Sequence, residues 1–180
     1  MIKHHPTSDI DIFPNIITNE GRNIKEVSFS QPVMLVFLRN FGCTFCRQAL
    51  SDISKQRSEI QNEGVLPILI HLNTDDVADH YLNKYQLLDI ERVKDTEMRL
   101  YADFGLTKGD FYQLFGFKNW ISGFNSAVVK GHGVRPPIGD GLQMPGVFLI
   151  DQGEVVHKFI HEHASDRPNY VELAKQVAKR

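Results

Sequence analysis

The chain contains two cysteines, Cys43 and Cys46, separated by Thr44 and Phe45. They follow the apolar run Val33-Met34-Leu35-Val36-Phe37-Leu38 and precede a stretch of helical periodicity. Strand, short turn, Cys-x-x-Cys and helix is the layout that thiol–disulfide chemistry requires. The first thiol falls at the helix N-terminus, where unpaired N–H groups and the helix dipole stabilise a thiolate. The second falls one turn further in, close enough to close a disulfide. Cys43 is therefore expected to be the more exposed and the more acidic thiol. Arg39 and Arg47 flank the pair and could stabilise the thiolate further, unless they are solvated surface groups, the commoner fate of a single arginine. Thr44 could hydrogen-bond a thiolate through its hydroxyl.

Two other readings compete for the cysteines. A pair of buried structural thiols three apart would be unusual at a strand–helix junction. A zinc site needs four ligands, and the pair supplies two. His157, His161 and His163 are a source of others, the first two sharing a strand face only if that strand stays regular. The spacing matches no common zinc site, and the second cysteine falls inside a helix. No metal is expected, and the three histidines read as exposed groups at a strand end.

A length of 180 residues suits one domain with a substantial core. The chain is 42% hydrophobic and 23% charged, ordinary for a globular protein. With a formal net charge of -2 and a pI near 6.4, nothing favours nucleic acid as a partner. No apolar run approaches the ~18 residues of a membrane span, and no membrane association is expected. The first fifteen residues lack the apolar stretch and small-residue cleavage site of a secretory signal. One cysteine pair without an export signal points to a reducing cytoplasm, where such a pair is more often catalytic than structural. No Gly-x-Gly-x-x-Gly stretch is present, so no bound organic cofactor is expected.

The elements that must position the pair follow from periodicity. Residues 1–15 are polar and expected to be loose. Asn23 to Ser30 suggests a short strand, with Ile24, Val27 and Phe29 apolar. Val33–Leu38 reads as a buried central strand. From Cys43 to Asn62, Phe45, Ala49, Leu50, Ile53 and Ile60 recur near helical spacing, and Gly64 stops the helix. Val65–Leu72 is a second buried strand. A helix over Val77–Tyr85 is capped by Thr74 or Asp75. Ile90–Val93 suggests a short strand, and Glu97–Phe104 a short helix closed by Gly105. Residues 106–143 are rich in glycine and aromatics, among them Phe111, Phe115, Trp120 and Phe124. The aromatic segment 111–124 reads as an extra helix packed on the sheet or, less favoured, as the wall of an apolar pocket or a dimer contact. After Met144-Pro145, Gly146–Ile150 and Glu154–Ile160 form a hairpin about Asp151-Gln152-Gly153. Tyr170–Lys179 is a closing amphipathic helix. The sum is an α/β fold, a mixed sheet with helices on both faces.

Strand, Cys43-Thr44-Phe45-Cys46, helix, and Pro145 opening a later hairpin strand together resemble the thioredoxin fold. The stretch from Val36 to Arg47, Tyr101-Ala102-Asp103-Phe104-Gly105-Leu106, Gln143 to Asp151 and Asp166-Arg167-Pro168 are similar, in that order, to peroxiredoxin-like proteins. These belong to the alkyl hydroperoxide reductase/thiol-specific antioxidant superfamily. The branch is the one that also holds prostamide/prostaglandin F synthase and selenoprotein L-like proteins. The similarity spans about residues 24–178. It implies one thioredoxin-like domain over residues 1–180, with 1–23 an N-terminal extension and 106–143 an insertion. It further implies that Met144–Pro145 is a cis bond whose loop faces the cysteines.

The sequence also departs from the family's patterns. An ordinary peroxiredoxin carries Pro-x-x-x-Thr-x-x-Cys. Counting back from Cys43 finds Asn40 and Val36 at the threonine and proline places; counting back from Cys46 finds Cys43 and Arg39. Where thioredoxin has a buried aspartate six residues before its first cysteine, this chain has Phe37.

The resemblance implies an oxidoreductase in which Cys43 attacks a peroxide oxygen or a substrate disulfide and Cys46 resolves the product as a Cys43–Cys46 disulfide. The reverse register, with Cys46 as the peroxidatic residue, stays open. Arg39, Arg47, Thr44, Met144 and Pro145 would support the site. Electrons would come from a thioredoxin-, glutaredoxin- or glutathione-type donor. A homodimer is compatible with this reading. Reduction of a bulky apolar peroxide is a second enzymatic reading, and a non-catalytic redox-sensing or partner-binding module an alternative of another class.

Overall fold

A computed structural model of the protein describes residues 15–106, 143–163 and 165–178. The expectations for residues 1–14, and for the aromatic segment 111–124, lie outside the described residues. Five strands form one mixed sheet in the order β3-β2-β1-β4-β5. They are β1 (Val33–Phe37), β2 (Leu66–His71), β3 (Glu91–Lys94), β4 (Gly146–Asp151) and β5 (Glu154–Ile160). β1 is central, parallel to β2 and antiparallel to β4; β2 and β3 are parallel, and β4 and β5 antiparallel. The described helices are α1 (Ile24–Ser28), α2 (Thr44–Asn62), α3 (Asp75–Lys84), α4 (Arg99–Asp103) and α5 (Tyr170–Ala178).

The sheet is covered on both faces, which is why β1 is apolar throughout rather than alternating. Met34 and Val36 join a cluster with Leu50 and Ile53 of α2, Ala78 and Leu82 of α3, and Tyr170 and Ala174 of α5. Val33, Leu35 and Phe37 point the other way, into a cluster with Ile24 of α1 and Tyr101 of α4. The mixed α/β, thioredoxin-like architecture matches the expectation.

One element differs in kind. Residues 24–28 form a helix, not a strand. The Asn23 side chain accepts hydrogen bonds from the backbone N–H groups of Lys25 and Glu26, an N-cap that outweighs the short alternation of Ile24, Val27 and Phe29. The end of α1 then holds the β4–β5 turn: Gln152 N–H donates to Ser28 O at 3.0 Å, and Gly153 N–H to Ser28 Oγ at 2.9 Å. Gln152 and Gly153 have φ of 53° and 77°, the positive pair of a two-residue hairpin turn.

A second correction concerns Met144–Pro145. No cis peptide bond occurs among the described residues, so this bond is trans. Trans is the lower-energy isomer of an X–Pro bond by roughly 0.5–1 kcal/mol. In this loop Met144 packs against Phe45, and His161 N–H donates to Pro145 O at 3.4 Å.

Candidate active site

The loop between β1 and α2 carries Cys43 and is fixed at several points. Leu38 N–H donates to Ile70 O at 2.8 Å, extending the β1–β2 pairing by one bond. The buried Tyr101 hydroxyl donates to Leu38 O. Phe41 N–H donates to the Asn73 side-chain oxygen at 3.0 Å, and Gly42 N–H to the Asn40 side-chain oxygen at 2.7 Å. Cys43 N–H closes the turn on Asn40 O at 2.9 Å. These bonds satisfy backbone groups where strand pairing stops, and they fix where the helix begins.

Cys43 is the N-cap of α2, in extended conformation (φ -73°, ψ 134°). It is half-buried, whereas Cys46, one turn in, is buried, and both are free thiols. Arg39 reaches over the loop and donates from Nη2 to Cys43 Sγ at 3.0 Å. This arginine is only 5% exposed, so its charge is poorly screened by water. The Cys43 thiol is pulled down to about 5, first by a hydrogen bond from the Cys46 thiol and then by Arg39 and the N–H groups of Cys46 and Phe45, against the opposing effect of burial. Those N–H groups act at the helix terminus without closing a capping hydrogen bond. Cys46 is pushed well above its ordinary value by its hydrogen bond to Cys43, by burial and by the negative charge on Cys43. One sulfur is thus a thiolate at neutral pH, and the other is the proton donor that stabilises it.

The flanking residues divide. Arg39 is on the sulfur, and is not a solvated surface group. Arg47 donates from Nη2 to Thr44 Oγ1 at 3.2 Å, so these two residues engage each other; Thr44 is exposed. Met144 packs on Phe45 beside the pair. Pro145 and Cys46 line the same small cavity, about 20 Å³, which also meets Arg39, His161, Asp52 and Tyr170. At its rim Arg167 grips Asp52 with bonds of 2.6 to 3.0 Å. Phe37, at the place where thioredoxin has its aspartate, is 1% exposed and packs its ring against Tyr101, Phe104 and Phe148.

His161 departs from the sequence reading. It is not an exposed strand-end group but is 8% exposed, whereas His157 and His163 are on the surface. The chain turns inward after the edge strand β5, and the ring of His161 packs edge-on against Phe159. No group of three or more His, Cys, Asp or Glu side chains that could hold a metal occurs among the described residues. No described helix is long and apolar enough to cross a membrane.

The AhpC/TSA family matches residues 11–159. The chain belongs to this family. Membership places it among thiol-dependent oxidoreductases of the peroxiredoxin-like kind. A prostamide/prostaglandin F synthase of Danio rerio is 26% identical over 186 residues, covering 91% of this chain and 82% of that protein. In fold, the chain is similar to a mutant of the peroxiredoxin 6 of Arenicola marina, with a TM-score of 0.64, 14% identity and coverage of 93% of this chain and 70% of the other. It is also similar to the peroxidoxin BcpB of Mycobacterium tuberculosis, with a TM-score of 0.60, 15% identity and coverage of 91% and 90%.

Within this AhpC/TSA chain, sequence reasoning missed His161 as a member of the site and the Asp52–Arg167 pair beside it. The Asp166-Arg167-Pro168 stretch was a signal for the second. Its partner lies 115 residues away, a separation that no local pattern reports.

Proposed function

We propose that this protein is a thiol–disulfide oxidoreductase or peroxiredoxin-like antioxidant enzyme whose Cys43 and Cys46 cycle between dithiol and disulfide. The observation that carries the reading is the Cys43 sulfur at a helix N-terminus, 3.0 Å from the buried Arg39 guanidinium and hydrogen-bonded by the Cys46 thiol. A hydroperoxide would transfer one oxygen to the Cys43 thiolate, leaving as an alcohol or water, and Cys43 would become a sulfenic acid. Cys46 would then form the S–S bond as the sulfenic oxygen leaves as water. With a disulfide substrate, Cys43 would form a mixed disulfide and Cys46 would release the second substrate thiol. A thioredoxin-, glutaredoxin- or glutathione-type thiol, in a cytoplasmic setting, would restore the dithiol.

Cys43 is the proposed nucleophile because thiolate character decides reactivity, and it is the more exposed and more acidic of the two. Arg39 stabilises the reacting sulfur and Pro145 lines the cavity beside it. Arg47, Thr44 and Met144 shape the surroundings. A second substrate reading, reduction of a bulky apolar peroxide, is favoured by the likeness to a prostamide/prostaglandin F synthase.

The test is turnover with a thioredoxin system, following hydroperoxide- and disulfide-dependent consumption of reductant. Turnover that vanishes in both Cys43→Ser and Cys46→Ser is expected. Unchanged turnover in either variant would contradict the two-cysteine cycle, and no turnover in the native chain with any donor favours the non-catalytic redox-sensing or partner-binding module.

A further inference from the structure

From the shared cavity behind the cysteines, we infer that His161 is the proton acceptor for Cys46 when the disulfide closes. The inference rests on the proposed Cys43–Cys46 cycle and supplies a part that this cycle otherwise lacks. Cys46 is buried and must give up its proton to attack Cys43, because the thiolate and not the thiol is the nucleophile. The position six residues before Cys43 offers no base: Phe37 is locked into an aromatic cluster. Asp52 is the carboxylate nearest on α2, and both its oxygens are taken by Arg167.

His161 supplies what is missing. Its Nδ1 is buried without a hydrogen-bond partner. It lines the same cavity as Cys46, whose volume of about 20 Å³ suits about one water. The groups facing it are Arg39 from the β1–α2 loop, Cys46 and Asp52 from α2, Asp166 and Arg167 from the segment before α5, and Tyr170 from α5. Burial, with a smaller contribution from Arg39, holds the imidazole at about 4 despite Asp166 and a hydrogen bond to the His163 backbone. The ring is therefore neutral above about pH 5 and can accept a proton; the same burial makes it a weak base, so it holds that proton only while the disulfide forms.

The timing also fits. Two of the three effects that keep Cys46 protonated are the hydrogen bond to Cys43 and the charge on Cys43. Both disappear once Cys43 is oxidised to the sulfenic acid by a hydroperoxide or captured as a mixed disulfide. Only burial then opposes ionisation. In the closing step the Cys46 proton passes to His161 across the cavity that both residues line. The Cys46 sulfur bonds to the Cys43 sulfur, and the bond from Cys43 to oxygen, or to the substrate sulfur, breaks. The departing hydroxide or thiolate takes the proton from His161, and the imidazole returns to its neutral form. Nothing is consumed beyond the substrate already named.

The test uses Ellman's reagent on the reduced full-length chain, so that it does not depend on peroxide as the substrate. Attack by Cys43 releases one thionitrobenzoate; attack of Cys46 on the resulting mixed disulfide releases the second. The ratio of the second rate to the first reads closure alone, within one sample. In the native chain the second rate should be flat from about pH 6 to about pH 8, because the base is already deprotonated. In His161→Gln the ratio should fall at least about tenfold near neutral pH, a conservative share of what general base catalysis contributes. Its second rate should also rise about tenfold per pH unit as the thiol ionises by itself. If His161→Gln loses the first release as well, the fold has been damaged, and His161→Asn is measured in its place. A ratio and a pH profile equal to the native ones in the folded variant would overturn the inference while leaving the cysteine cycle intact. If Cys43 of the native chain takes no thionitrobenzoate, the cysteine cycle itself fails and the inference falls with it.

Discussion

At Cys43, opposing effects set the reactivity. Burial disfavours a thiolate, while a thiol donor, a guanidinium and two backbone N–H groups favour it, and the second set wins, bringing the thiol to about 5. The alkylation rate of Cys43 should accordingly rise through about pH 5 and be level above about pH 6.5; a rate still climbing at pH 8 would contradict the charge balance. Replacing Arg39 by Met removes a cation from the sulfur, so the midpoint of that profile should move upward. Cys46 should alkylate more slowly at neutral pH, and if it proves faster the two roles are exchanged. A stabilised thiolate also stabilises the reduced dithiol. Thioredoxin and DsbA, with nucleophile pKa values of about 7 and about 3.5, have potentials of about −270 and about −120 mV. Titration against a glutathione buffer should place the Cys43–Cys46 couple between them. Of this site, the cysteine pair and Arg39 were legible because their chemistry follows from residue type and short spacing. His161 was not, because its burial depends on how the chain turns after β5, which no periodicity in Glu154–Ile160 announces.

At the scale of elements, the reading succeeded where burial dictates residue type and slipped where a single cap decides. β1, β2 and β4 announce themselves because strands covered on both faces read as near-continuous apolar runs. α1 does not, since five residues hold too little periodicity to separate helix from strand. The deciding interaction is the Asn23 cap, so Asn23→Ala should cost about 1 kcal/mol, read as a lower denaturation midpoint with unchanged slope. No loss at all would mean that the contacts of Ser28 with the hairpin turn hold α1 unaided. Gly146 bears on the site through β4. A Cβ there would lie 2.8 Å from Leu106 Cδ2 and 3.4 Å from Phe159 O. The leucine side chain has to yield in a packed region, so Gly146→Ala should destabilise by roughly 1–3 kcal/mol. Because Gly146 follows Pro145 directly, closure of the disulfide should slow in the same variant.

Over the whole molecule, the buried histidines couple stability to pH. His71 is fully buried, and burial holds it at about 4, as it does His161. Both are neutral in the fold, so the unfolded chain binds protons more readily once pH drops below the ordinary value of 6.5. Their contribution is complete above that value and is lost progressively as pH falls toward about 4. The Cys43 thiolate acts in the same direction, its contribution shrinking as pH falls from 9.0 toward about 5. Urea midpoints should therefore decline between about pH 6.5 and about pH 5, and His71→Leu should show a shallower decline. An identical decline in that variant would assign the dependence to other groups. The most direct measurement on the intact chain is its mass, with thiol labelling, through a titration with hydroperoxide. The expected product is a monomer lighter by two hydrogens, with neither Cys43 nor Cys46 open to alkylation, restored to two labelled thiols by a dithiol reductant. Two thiols that stay free and labelled after the hydroperoxide has been added in excess would contradict the Cys43–Cys46 cycle outright.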